Sequence, residues 1–163
     1  MMPARSASPR SAARDLRTAE WNVDGRIPFP VDPFEIAARL GVEVHVAPLA
    51  SGVAGFAVKD DGPAEIYVDS RSAAEVQRCV VAHELGRIVE NRGADRIGHV
   101  YRRDGRSSAA AESWADRFAA ELLMPEAIVV KNWAEGWSPE RLRRRFDVSG
   151  PAMTHRLSGL GLI

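Results

Sequence analysis

The sequence predicts an α+β fold: a small three-stranded sheet packed on a pair of long helices, with a helical appendage at the C-terminus. Three observations predict it. Short segments of alternating apolar and polar residues cluster between 42 and 68. Two longer segments with helical periodicity follow, at about 72–91 and 109–124. Two further helical segments, Ser138–Phe146 and Pro151–Leu157, close the chain around an Asp147-Val148-Ser149-Gly150 turn.

Taken in order, Met1 to Arg14 is rich in Ala, Ser and Arg without an apolar centre, and reads as a disordered lead-in rather than a secretory signal. Ser11 to Trp21 has the pattern of a short helix, and Gly25 to Pro33, with three prolines, that of a turn or linker. Asp32 before Pro33 caps a helix that ends at Leu40-Gly41. Val42, Val44 and Val46 alternate with Glu43 and His45, so His45 is expected on the solvent side of a half-buried strand. Gly55–Val58 and Glu65–Val68 flank the turn residues Asp60-Asp61-Gly62-Pro63, a hairpin signal. Ser72 with Glu75 three residues on predicts a capping box for the first long helix. Gly93 to Ser108 reads as a polar loop, and Pro125 ends the second long helix. Trp133 and Trp137, four residues apart, are expected in the core.

Composition excludes several function classes. The 163 residues are 45% hydrophobic and 27% charged, the balance of an ordinary globular domain. Zero formal charge provides no global field for nucleic acid or membrane. One cysteine, Cys79, permits no intrachain disulfide and suits a cytoplasmic location. No apolar run approaches the ~18 residues that a spanning helix needs.

The chemistry concentrates at His83-Glu84-Leu85-Gly86-Arg87. In His-Glu-x-x-His, two imidazoles one helical turn apart reach one zinc ion, and the Glu between them acts as general base. Here the fifth position is Arg87, whose guanidinium has no lone pair to donate and stays protonated. On the second long helix, Glu112 and Asp116 are four apart. A helical Glu some tens of residues after the His pair completes a His₂Glu set, and an acidic residue one turn later orients a ligand His.

With these motifs, the chain resembles the ImmA/IrrE metallo-endopeptidases. Carrying the resemblance are Pro30-Val31-Asp32, Leu40-Gly41, Ser51 to Phe56, Ile66-Tyr67-Val68-Asp69, Ala82 to Gly86 and, most specifically, Glu112 to Pro125. The resemblance implies a zincin-like domain over 26–130, after a flexible segment 1–25 and before a helix-turn-helix-like appendage over 131–163. It implies zinc-dependent cleavage of a helix-turn-helix repressor that controls prophage, mobile-element or stress genes. His83 and Glu112 match metal ligands, Glu84 the general base, and Asp116 the position that often holds Asn. His99 or Tyr101 is the candidate transition-state donor. Arg87 stands at the missing ligand.

Three readings of Arg87 stay open. The protein is a pseudo-peptidase that still binds its repressor, or it carries a sporadic replacement in an otherwise active enzyme, or His99 or Cys79 supplies the ligand instead. A fixed cation ~4 Å from zinc would add repulsion of several kcal/mol at an effective dielectric of ~20, so weak or absent zinc is expected. Arg141, Arg143, Arg144, Arg145 and Arg156 in the last two helices raise a second possibility, phosphate contacts of a DNA-associated regulator, against which the zero net charge argues.

Overall fold

Cap residues with a proline one or two positions later set four of the helix starts. The computed structural model describes residues 7–102 and 109–163, and the side chains of all these except 99–102 and 109–113. Helix α1 (Pro9–Glu20) opens at Ser8, whose side chain accepts from Ser11 N. In α2 (Pro33–Arg39), Asp32 accepts from the backbone of Phe34 and Glu35. Ser138 and Ser149 do the same for α6 (Pro139–Phe146) and α7 (Gly150–Gly159). Each cap satisfies an N–H that the first turn leaves without a partner, and the prolines lack an N–H to waste.

Between α2 and α7 run β1 (Glu43–Ala47), β2 (Val53–Asp60), β3 (Glu65–Asp69), α3 (Ala74–Glu90), β4 (Arg96–Arg102), α4 (Ala109–Leu123) and α5 (Glu126–Ala134). The sheet has four strands in the order β1-β3-β2-β4. β2 pairs antiparallel with β3 and β4, while β1 and β3 are parallel. Its inner face presents Ala57, Ile66 and Val68, all fully buried, to the helices. Helix α3 lies close on β2 because position 55 is glycine. A Cβ there would stand 2.5 Å from a Val80 methyl and 2.7 Å from the Tyr67 carbonyl oxygen.

One cluster of buried residues runs from Ala12 in α1 through the sheet, α3 and α4 to Leu157 in α7. Trp133 and Trp137 pack against it, half-buried.

Four expectations change. The sheet has four strands rather than three, because Arg96–Arg102, inside the expected polar loop, adds to the free edge of β2. An edge strand may keep charged side chains on its open side, and this hid it. Within the expected segment 1–25, the short helix expected over Ser11–Trp21 is present as α1, starts at Pro9 and is packed, with Ala12, Ala13 and Leu16 at 0% exposure. Helix α3 starts behind Ala73, one residue later than the expected cap Ser72, and Ala73 supplies no side-chain cap. Helix α5 occupies a stretch in which sequence periodicity marks only the Trp pair.

Candidate functional site

The site lies where α3 and α4 cross, and Gly86 sets how closely. A Cβ at Gly86 would come within 2.9 Å of the Phe118 ring and 3.3 Å of the Ala115 Cα. Without it the helices approach until His83, one turn earlier, reaches Asp116. His83 Nδ1 lies 3.0 Å from Asp116 Oδ1. A carboxylate oxygen accepts, so Nδ1 donates, and in a ring with a single N–H the lone pair is then on Nε2, the tautomer a metal-ligating His needs. His83 is 2% exposed, whereas the Asp116 side chain is 54% exposed and reaches solvent.

A cleft of about 510 Å³ opens over this pair. Its floor is His83, Asp116 and Cys79, and its walls are Ala120, Leu123 and Met124 of α4 with Ala152, His155 and Arg156 of α7. Mostly apolar walls with a few polar groups suit an extended peptide or a helix face. Burial pushes the Cys79 thiol up to about 11, so at neutral pH it is a protonated thiol and not the thiolate that binds metals.

Other expected residues fall around this pair as follows. Glu84, the expected general base, is fully buried. Glu112 lies on α4 one turn before Asp116, and the backbones of His99 and Tyr101 pair with Ala57 and Gly55 in the sheet. The side chains of Glu112, His99 and Tyr101 lie outside the described residues.

Arg87 is 12% exposed along its side chain, and its Nη1 lies 3.7 Å from Glu90 Oε2. Neither Nε nor Nη1 makes a hydrogen bond among the described residues. The position where the resemblance places the second imidazole is therefore held by a largely shielded cation with no lone pair to offer a metal. These residues do not fit a zinc site with three protein ligands. What the cleft retains is an oriented imidazole–carboxylate pair beneath apolar walls, suited to recognising a polypeptide.

Around Glu121, also on α4, sequence reasoning missed a second polar centre. Its carboxylate, 6% exposed, accepts from Arg156 Nη2 at 2.6 Å and from Glu126 N at 3.1 Å. Arg17 of α1 lies 3.8 Å from its other oxygen and donates to the Glu121 carbonyl. Arg156 also donates to the Met124 carbonyl. Burial lowers the Arg17 pKa and the Glu121 charge works against that shift. One carboxylate thus ties together α1, α4, α5 and α7, and takes Arg156 out of reach of a phosphate.

The remaining arginines of the last helices are engaged too. Arg143 and Arg144 pair with Glu140, which their hydrogen bonds and charge hold below the usual carboxylate range. Arg141 and Arg145 lie over the Trp137 ring, 3.5 and 5.3 Å from its centre.

A family model described as the IrrE N-terminal-like domain, of a peptidase family, matches residues 37–158. No curated protein matches the chain. Among the described residues, no helix is long and apolar enough to cross a membrane.

Proposed function

The chain belongs to the peptidase family of IrrE N-terminal-like domains, and from that premise we propose that it inactivates a helix-turn-helix transcriptional repressor bound in the α3–α4–α7 cleft. The repressor controls prophage, mobile-element or stress genes, as the resemblance implies. Hydrolysis is impaired: the cleft holds the repressor and does not cut it efficiently. One observation carries this reading, Arg87, only 12% exposed along its side chain, at the expected place of a zinc ligand, with no hydrogen bond from Nε or Nη1 among the described residues. The orientation of His83 by Asp116 supports a cleft descended from a metal site.

The reading as a DNA-associated regulator has less support. Arg143, Arg144 and Arg156 are already paired with carboxylates of the same chain, the first two at the surface, and those carboxylates offset the charge they would offer a duplex.

Incubating the protein and its Arg87→His variant with a panel of purified helix-turn-helix repressors tests the proposal. The expected outcome is a stable complex with one repressor, cut slowly or not at all by the natural sequence and faster by the variant with zinc. Efficient, chelator-sensitive cutting by the natural sequence would overturn the impairment. Binding to none of the repressors, by either protein, would count against the partner class.

A further inference from the structure

On the opposite side of the sheet from the helices, three side chains of metal-ligand type converge. Among the described residues, Glu43, His45 and Glu65 are the group whose ligand atoms all lie within 4.8 Å of one another. His45 Nε2 is 3.2 Å from Glu65 Oε1 and 3.5 Å from Glu43 Oε2. The His45 side chain is 38% exposed, not free on a solvent face as its strand pattern suggests.

Strand register builds this arrangement. Glu43 and His45 are two apart on β1 and share a face, while the parallel pairing sets Glu43 directly opposite Glu65 and His45 opposite Tyr67. Tyr67 in turn faces Phe56 on β2. The three rings form a ladder across the outer face: His45 on Tyr67 at 4.6 Å between centroids, and Tyr67 on Phe56 at 4.7 Å. Stacking fixes the plane of the imidazole, so Nε2 points between the carboxylates before any ligand arrives. Meanwhile, like charges directly opposite on neighbouring strands repel. The Glu43–Glu65 pair thus leaves an excess of negative charge around one nitrogen, which a cation would relieve.

We propose that Glu43, His45 and Glu65 form a surface site for a divalent transition-metal ion of the zinc type. Its donors are one imidazole nitrogen and two carboxylate oxygens, with the fourth position left to water. The imidazole–carboxylate mixture selects zinc-type ions over calcium or magnesium, which take oxygen donors. A proton on Nε2 leaves to solvent when the metal binds. The site is separate from the α3–α4 cleft and does not depend on the function proposed for it.

Calorimetric titration with zinc chloride at neutral pH tests the proposal on four proteins: the natural sequence, His45→Ala, Glu65→Gln and His83→Ala. Circular dichroism checks that each is folded. The expected result is one zinc event in the natural sequence that persists in His83→Ala, with affinity falling about tenfold or more in His45→Ala and Glu65→Gln. Glu65→Gln keeps the shape of the strand pair, so loss in that variant reports the lost carboxylate. Zinc binding that survives His45→Ala, or that His83→Ala abolishes, would overturn the site, as would an absence of binding in the natural sequence.

Discussion

Glu121 and Arg87 are charges largely withdrawn from solvent on the facing helices α4 and α3, the first buried and the second still 12% exposed along its side chain, yet their surroundings differ in kind. Glu121 is met by two guanidiniums and a backbone N–H, and each charged hydrogen bond of this type offsets desolvation by ~1.5–3 kcal/mol. Arg87 has one carboxylate at 3.7 Å and, among the described residues, no hydrogen bond through Nε or Nη1. A buried charge with its partners in place serves the fold. A largely shielded charge without a full set, at the position where the resemblance places a ligand, is what the proposal of an altered metal site rests on.

The largest expected effect separates the two directly. Glu121→Ala removes the carboxylate partner of the buried Arg17 and of Arg156 at the cleft wall, and is expected to cost about 3 kcal/mol in urea denaturation. A loss below about 1 kcal/mol would mean that the arginines find water and that the hub is not structural.

Gly86→Ala tests the helix crossing on which the His83–Asp116 pair depends. The fully buried Phe118 ring stacks on Trp114 and cannot easily retreat, and the Ala115 Cα is backbone. Overpacking of about 1–3 kcal/mol, offset by roughly 1 kcal/mol of helix propensity, predicts a net loss of about 0–2 kcal/mol. An increase in stability would show that the helices have room to spare.

Arg87→Met inverts the first experiment. Removing a cation with so few described partners, for an apolar chain of similar length, is expected to leave stability within about 1 kcal/mol or raise it. The same replacement at Arg156 should cost several kcal/mol. Equal losses at both positions would erase the comparison.

The smallest effect is in acid. Asp69 accepts from Arg71 Nε at 3.0 Å and from the backbones of Leu49 and Arg71, and the Arg71 hydrogen bond holds its carboxyl below the ordinary 3.8. Because the folded value is the lower one, its stabilisation is fully present above about pH 4 and lost as the pH falls through the folded value. The stability gap between the natural protein and Asp69→Asn should therefore be constant from pH 5 to 7 and close below about pH 4. A gap that persists at pH 2 would contradict this.

These contrasts also show what the sequence could carry. The Asp32-Pro33 cap, the hairpin around Asp60–Pro63 and the two long helices are local signals, readable from residues a few positions apart. β4 was hidden because Arg96, His99, Arg102 and Gly98 suggest a loop, and only the free edge of β2 makes that stretch a strand. The Glu121 hub joins residues as far apart as 17 and 156, so no window along the chain contains it. At the cleft, helical spacing put His83 with Arg87 on one helix and Glu112 with Asp116 on the other, and only the resemblance joined the two. The approach of the helices across Gly86, the His83–Asp116 contact and the shielding of Arg87 needed three dimensions.

The central claim is that Arg87 has disabled a metal site. It is tested most directly by zinc content in the His45→Ala background, which removes the surface cluster from the count. The account predicts well under one zinc per chain for that protein, and about one after the further change Arg87→His, lost again on adding His83→Ala. About one tightly held, His83-dependent zinc per chain with Arg87 in place would contradict it.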